Sequence, residues 1–440
     1  MKKVAFHTLG CKLNFAETSA IGRQFVEAGY EKVSFGGYAD FYIINTCSVT
    51  ENANKECRTI VNRALTNSPH AKIIITGCYA QLKPDYIATI PGVDLVLGAA
   101  EKFNIIAHLD KLGEEGAQVF ACEIADVNSF TSSWSAGDRT RSFIKVQDGC
   151  DYSCSFCTIP LARGKSRSDT IESAVVNAQA IAATSAKEIV LTGVNLGDFG
   201  LNESGKRISD FFRLIKELDK VKGIERFRIS SIEPNLLTDE IISFVASSQK
   251  FVPHFHIPLQ SGSDRILKLM RRRYLTPLYR SRVQTIKKLM PDCCIGVDVI
   301  VGFPGEKEED FLASYNFLNQ LDISYLHVFT YSKRENTFAA EMNDMVPHVI
   351  RKQRNRMLRI LSEKKLHNFY NQFVNENTAV LFESDNKNGF MHGHTENYIK
   401  VKIPFNPDLI NTLQWVKLTG IDGTGDMTGE LLTDFIALQA

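Results

Sequence analysis

Three separate stretches of this 440-residue chain share one plan: a short apolar, β-branched run ends on a cysteine and gives way to a helix-like segment. Val4-Ala-Phe-His-Thr-Leu-Gly-Cys11 leads into helix-like sequence from near Phe15. Phe41-Tyr-Ile-Ile-Asn-Thr-Cys47 leads into one that runs through Leu65, and Lys72-Ile-Ile-Ile-Thr-Gly-Cys78 into one from Tyr79 to Ile90. Repeated strand–turn–helix units build a parallel sheet with helices on its faces. All carboxyl ends of such a sheet share one edge, where ligands collect. Cys11, Cys47 and Cys78 are therefore expected to converge there, although 36 and 31 residues separate them in sequence. Val93-Asp-Leu-Val-Leu-Gly98 reads as a fourth strand without a cysteine. A lone buried cysteine is usually a small hydrophobe, but three at equivalent positions point to a soft-metal centre. Cys57, Cys122, Cys293 and Cys294 lack that placement; Cys57, in the helix after Cys47, is the one most easily mistaken for a ligand, and the others read as packing residues.

The plan returns in Phe143-Ile-Lys-Val-Gln-Asp-Gly-Cys150, where the cysteine opens a triplet with Cys154 and Cys157. A closed zinc site or an ordinary Fe–S cluster takes four protein ligands. The next cysteine downstream is Cys293, so three thiolates would leave one iron of a four-iron cube open. From Arg141 onward, strand-like runs at 143–147, 188–192, 225–230, 252–257, 295–301 and 325–331 alternate with helical patterns at 171–183, 208–219, 238–247, 264–273, 277–290 and 308–320. Six βα units predict a partial parallel barrel with its active site at the carboxyl face. Residues 126–142, rich in Ser, Thr and Gly around Trp134, read as a linker. After about residue 375 the pattern changes to short strands between Gly, Asn and Asp turns, at Thr378–Glu383, Asn397–Ile403, Thr412–Leu418 and Leu431–Ile436. That is the pattern of a small β-barrel.

No apolar run reaches the ~18 residues a membrane span needs, and Met-Lys-Lys-Val-Ala-Phe-His enters a strand without a signal-peptide core. A cytoplasmic protein is expected, in which ten cysteines serve metals better than disulfides. The formal charge is only +1, yet nine Lys or Arg and no acid lie between Arg265 and Lys288, densest at Arg271, Arg272 and Arg273. Seven basic residues, among them Arg351, Lys352 and Arg354, stand against one Glu between Arg351 and Lys365. Such clusters are either solvated helix faces or a track for a phosphate backbone.

The triplet, with Phe156 just before its last cysteine, resembles the signature of radical S-adenosylmethionine (SAM) enzymes. Leu9-Gly-Cys-Lys-Leu-Asn14, Asn45-Thr-Cys-Ser-Val-Thr50 and Gly77-Cys-Tyr-Ala-Gln81 resemble the N-terminal motifs of the methylthiotransferase family, and the likeness covers essentially the whole chain. It implies an α/β architecture: an N-terminal parallel α/β domain (1–125), the linker (126–142), a partial (β/α)6 radical SAM barrel (143–345), a basic connecting helix (346–374) and a TRAM-like RNA-binding β-barrel (375–440). It also implies two 4Fe–4S clusters. Cys150, Cys154 and Cys157 would hold one, with SAM at its open iron. Cys11, Cys47 and Cys78 would hold the auxiliary cluster that handles sulfur. SAM would serve both as methyl donor and as radical source.

SAM contacts are expected from Phe156, Gly193, Asn195, Gln260, Ser261 and Gly302. Leu191-Thr-Gly-Val-Asn-Leu-Gly197 lacks the Glu of the usual Gly-Gly-Glu, and Asp298 replaces the first Gly of the adenosine-side motif. No side chain is assigned as general acid or base. Gly-Cys-Lys-Leu-Asn resembles the subgroup that converts N6-threonylcarbamoyladenosine at tRNA position 37 to its 2-methylthio derivative. The alternatives are isopentenyladenosine in tRNA, a ribosomal-protein aspartate and, distantly, a zinc-containing RNA-binding protein without catalysis. The expected partners are the tRNA anticodon stem-loop and an electron donor, with no membrane.

Overall fold

The computed structural model describes every residue except 49, 50, 111, 113–115, 136, 138, 139, 203, 204 and 433–440, and leaves aside the side chains of 51–55. The last two positions of the Asn45–Thr50 motif and most of the strand expected at Leu431–Ile436 lie outside the described residues.

The N-terminal sheet is parallel throughout, in the order Glu31–Val33, Lys3–Thr8, Phe41–Thr46, Lys72–Gly77, Leu95–Leu97, Gln118–Phe120. Its central strands are buried on both faces, which is why Ile43-Ile44 and Ile73-Ile74-Ile75 are continuous apolar runs. The chain order reverses between Lys3–Thr8 and Phe41–Thr46, which opens a crevice at their carboxyl ends. Cys11 and Cys47 sit at that crevice. The short strands at Glu31–Val33 and Gln118–Phe120 carry no apolar alternation long enough to be read from sequence. The helix expected over Tyr79–Ile90 is two, Cys78–Leu82 and Pro84–Ala88, because Pro84 starts a helix well but cannot continue one.

The middle region forms two parallel sheets that curve into one open barrel. Arg141–Lys145, Glu188–Thr192 and Arg226–Ile229 make the first; His254–His256, Cys294–Val301 and Tyr325–Thr330 make the second. Bridges at Phe227–Phe251 and Ser231–His256 join them. Helices Ile171–Ala182, Phe211–Asp219, Asp239–Ser247, Asp264–Leu269, Thr276–Leu289 and Glu308–Gln320 alternate with these strands, and residues such as Leu214, Ile242 and Val283 pack against the strand side chains. Three of the helices begin on a Thr or Ser that accepts a backbone N–H, namely Thr170, Thr238 and Ser263. The helix expected over 264–273 stops at Leu269, since Arg271 turns to φ 57° and ends it. Part of the expected linker is structured: Ser133–Trp134 pairs antiparallel with Arg141–Lys145, and Arg23 lies 3.9 Å over the Trp134 ring.

Helix His348–Asn371 covers the free edge of strand Tyr325–Thr330. Ser362 satisfies both backbone groups of Leu326, at 2.8 and 3.0 Å, and the Asn355 amide donates to Val328 O at 3.2 Å. An edge strand is thereby closed by side chains rather than by another strand.

Asn377–Phe382, Phe390–Thr395, Lys400–Pro404, Met427–Leu431 and Leu413–Ile421 close a five-stranded barrel in that order. Strand Phe390–Thr395 is absent from the sequence expectation, because Phe-Met-His-Gly-His-Thr lacks apolar alternation. This barrel is bolted to the base of the larger one. Arg226 donates to Ala379 O and His394 O, at 3.0 and 3.2 Å, and Arg228 donates to Glu396 O and Thr395 O, at 2.9 and 3.3 Å. Both arginines are buried.

Candidate active site between two sets of cysteines

Cys11, Cys47 and Cys78 each come off a strand end, and glycines let the ends approach. A Cβ on Gly10, at φ +100°, would stand 2.6 Å from Cys47 Sγ, and one on Gly77 would meet Asn45 Oδ1 and Thr46 O at 2.4 Å. Asn14 fixes the loop: its amide donates to Leu9 O at 2.9 Å and to Thr46 O at 3.0 Å. Asn45 answers by donating to Asn14 O at 3.1 Å. Burial pushes the Cys78 thiol up to about 11, with Arg163 opposing and Cys11 and Cys47 near enough to add to the rise. The three cysteines thus lie near one another at the carboxyl edge of the sheet. Cys57, the cysteine most easily mistaken for a ligand, is buried in the core on helix Glu51–Asn67 and packs there.

Beside these thiols lies a buried charge cluster that no sequence motif announced. Glu17, fully buried, receives Lys102 at 2.6 Å, Lys145 at 3.2 Å and Arg163 at 3.0 Å. Asp148 receives Arg163 at 2.8 Å and Arg167 at 3.1 Å. These cations hold both carboxyls well below the ordinary carboxylate range despite burial. Two carboxylates thus face four cationic side chains, and the surplus positive charge is the environment a set of thiolates around a cluster requires.

At the second set, backbone and side-chain donors already point at sulfur. Tyr152 N–H donates to Cys150 Sγ at 3.4 Å, Ile159 N–H to Cys157 Sγ at 3.5 Å, and Arg272 Nη1–H to Cys154 Sγ at 3.1 Å. Burial raises Cys150 to about 12 and Cys157 to about 11. A bound metal cation inverts that preference, because it coordinates the thiolate. Among the described residues no three His, Cys, Asp or Glu side chains close around one point. The two cradles reach cavities through Cys11 and Cys157. The donor chemistry fits Fe–S ligation at each, three thiols with hydrogen-bond donors on sulfur at the second and surplus buried cations at the first.

Two cavities adjoin the cradles. One of about 250 Å³ touches Cys157 and is lined by Phe156, Gln260, Asp298, Ile300 and Tyr331. The other, about 640 Å³, runs from Cys11 and Lys12 along Gly193 to His256, His327 and Tyr398. Phe329 lines both, and the His256–Asp298 pair at 2.9 Å stands between them. Tyr398, from the small barrel, reaches the larger cavity in the left-handed conformation at φ 65°. Its ring is stacked between His254 at 4.4 Å and His394 at 4.8 Å.

The expected SAM residues divide. Phe156 and Gln260 line the smaller cavity and Gly193 the larger. Asn195 is buried beside them, and neither atom of its amide has a partner, which suits a ligand carrying both an ammonium and a carboxylate. Ser261 instead faces helix Glu308–Gln320, 3.2 Å from Ser314 Oγ. Gly302 serves the fold: at φ +73° its N–H donates to Glu306, and a Cβ there would strike the Arg351 side chain.

The basic residues divide as well. Arg271 and Arg273 are exposed, lying 4.1 Å over Phe338 and 3.9 Å over Tyr152. Arg272 turns inward, where Cys154, Glu233 and the Tyr274 hydroxyl occupy it, so it is not placed to meet a phosphate backbone. Arg354 is buried against Glu306 and Glu308, and Arg351 caps Tyr331 O at 2.9 Å. The solvent face of this helix is Lys352, Arg356 and Arg359. The signal was available: Arg354 shares the i, i+4, i+7 stripe of buried Leu358 and Leu361.

Residues 3–98 match the Uncharacterized protein family UPF0004, and residues 144–318 match the Radical SAM superfamily. The chain is 41% identical over 434 residues to the threonylcarbamoyladenosine tRNA methylthiotransferase MtaB of Bacillus subtilis (strain 168), covering 95% of this chain and 94% of that protein. It is 40% identical to the protein of the same name from Aquifex aeolicus (strain VF5), covering 91% and 96%. Among solved structures, the radical SAM methyltransferase TsrM from Kitasatospora setae, with cobalamin and a 4Fe–4S cluster bound, superposes with a TM-score of 0.58 at 14% identity, over 77% of each chain. At that identity the likeness speaks for the fold alone.

Proposed function

This chain belongs to the radical SAM methylthiotransferase family, and from that premise we propose that it places a methylthio group on C2 of N6-threonylcarbamoyladenosine at position 37 of tRNA. It is an enzyme of tRNA modification whose cofactors are SAM and 4Fe–4S clusters. When bound, these groups supply the methyl group, the radical and the sulfur. In this reading Cys150, Cys154 and Cys157 hold one cluster and Cys11, Cys47 and Cys78 the other. Phe156, Gln260 and Tyr331 wall the SAM site, and Asn195 offers it an unpartnered amide.

The observation that carries the choice of substrate is the lining of the 640 Å³ cavity. It presents Lys12, Thr192, Ser230, His256, His327 and Tyr398 to whatever enters between Cys11 and the barrel. Such a wall suits an N6 substituent with a hydroxyl and a carboxylate. An isopentenyl group would leave those polar groups unanswered, and sites of that kind reject the poorer partner strongly. The base must leave its stack to reach this depth, which a loop nucleotide does at least cost. The anticodon stem would then lie across exposed Arg271 and Arg273 and the Lys352–Arg356–Arg359 face, and a soluble electron donor completes the reaction. Among the described residues no helix is long and apolar enough to cross a membrane, and this reading expects a cytoplasmic enzyme.

Nucleoside mass spectrometry of tRNA from a deletion strain tests the reading. The 2-methylthio-threonylcarbamoyl nucleoside should vanish while its unmethylthiolated precursor accumulates. Unchanged levels of both would contradict it.

A further inference from the structure

One cation in the larger cavity has no anion. Lys12 follows Cys11 directly and lines the cavity, and the ionic groups acting on it are Arg141, Arg228 and Glu188, with the Tyr398 hydroxyl. Glu188 is occupied: Arg228 holds it through two bonds, at 2.9 and 3.1 Å. Arg141 is paired with Glu383 at 2.8 Å. Asp298, on the wall of the smaller cavity, is paired with His256 at 2.9 Å. Once these pairs are formed, Lys12 is left without a carboxylate among the described residues. The remaining walls add imidazoles, at His254 and His327, and no acid. An unpaired ammonium at a concave, partly enclosed surface concentrates an anionic ligand.

The same corner has a fixed far side. Tyr398 is clamped between two imidazoles, and Arg141 donates to its hydroxyl at 3.5 Å. A ligand entering past Cys11 is therefore bounded by Lys12 on one side and by a rigid ring on the other. In a purine, C2 and the N6 substituent flank the same ring nitrogen, N1. A base that presents C2 to the Cys11 cradle thus extends its N6 chain along the wall that Lys12 occupies.

We propose that Lys12 is a specificity residue that receives the carboxylate of the N6 substituent, with Tyr398 as the opposing wall. This rests on the reading of the substrate as threonylcarbamoyladenosine. It adds that the negative charge of the substituent is what the cavity selects, and names the side chain that selects it. Lys12 is exposed at the cavity wall, so the pair is desolvated only when the substituent closes over it. Truncating one partner of a desolvated charge pair is costly, whereas a rim charge is not.

The test uses reconstituted full-length enzyme with two tRNAs, one bearing the threonylcarbamoyl group and one bearing its methyl ester, which keeps the shape and removes the charge. Wild type should prefer the free acid in kcat/KM by at least roughly 30-fold. Lys12→Met should abolish the preference by losing rate on the acid and not on the ester, and Lys12→Arg should keep most of it. Iron content, measured alongside, reports cluster loading. If Lys12→Met fails to load, Lys12→Gln and the acid-to-ester ratio of wild type decide. A wild type indifferent to the ester, a Lys12→Met variant that keeps the preference, or equal losses on both tRNAs would overturn the assignment while leaving the substrate reading intact. A wild type inactive on the free acid would instead sink the substrate reading itself.

Discussion

Arg163 Nη2 donates a 2.6 Å hydrogen bond to Asn14 Oδ1, which ties the segment after the Cys150–Cys157 triplet to helix Lys12–Glu27, which follows Cys11. The same guanidinium reaches Glu17 and Asp148 and lies close enough to Cys78 to oppose the rise of its thiol. One buried side chain thus sets the two cysteine cradles relative to one another.

Arg163→Met should therefore do more than weaken a surface. It leaves Glu17 and Asp148 short of a buried partner, a loss worth about 3–5 kcal/mol when one member of a buried pair is removed. Urea unfolding should show a lower midpoint, and methylthiolation should fall with it. An unchanged midpoint would mean that Lys102, Lys145 and Arg167 suffice.

The two cradles should be separable by function. Cys154→Ala should abolish reductive cleavage of SAM. Cys11→Ala should leave that cleavage measurable while methylthio product disappears. Product at near wild-type rate from Cys11→Ala would refute the auxiliary assignment.

At the joint between the barrels, Arg228 holds the Glu188 carboxyl at about 2, against its ordinary 4.5. A carboxyl depressed in the folded state stabilises the fold above its ordinary value, and that contribution disappears as pH falls from about 4.5 through about 2. The shift corresponds to on the order of 3 kcal/mol. Denaturant midpoints should therefore fall between pH 5 and pH 3, and less steeply in Glu188→Gln. Parallel slopes would show that Arg228 does not hold Glu188 in this way. The small barrel is part of this joint: removing it frees the donors of Arg226 and Arg228 and takes Tyr398 out of the cavity.

For RNA, the outward face of helix His348–Asn371 should matter and its inward face should not. Replacing Lys352, Arg356 and Arg359 by Gln should lower tRNA affinity at least ~tenfold, about 1.4 kcal/mol. It should also flatten the salt dependence by a slope of roughly 0.7–0.9 for each phosphate that is no longer neutralised. Titrations at two salt concentrations read both quantities. Unchanged affinity and slope would move the grip to Arg271 and Arg273.

The parallel sheet and the open barrel were legible because strand cores such as Ile73-Ile74-Ile75 and helix patterns such as 308–320 are local signals. The placement of Cys11, Cys47 and Cys78 at one sheet edge followed from one topological rule applied to three strand ends. Arg163, Tyr398 and the freedom of Lys12 were not legible. Asn14 and Arg163 lie 149 residues apart, and nothing in either neighbourhood marks an interaction that only tertiary packing creates. Tyr398 follows a strand, Phe390–Thr395, whose histidines and glycine hide it from any apolar pattern, although one of those histidines, His394, stacks on its ring.

The central claim is that this cavity converts a threonylcarbamoyl-bearing adenosine. Its most direct test is a competition: reconstituted enzyme with SAM and reductant is given equal amounts of threonylcarbamoyl-modified and isopentenyl-modified tRNA, and the nucleosides are resolved by mass spectrometry. The methylthio group should be found on the threonylcarbamoyl nucleoside, with little or none on the other. Comparable product on both, or product on the isopentenyl nucleoside alone, would contradict the account.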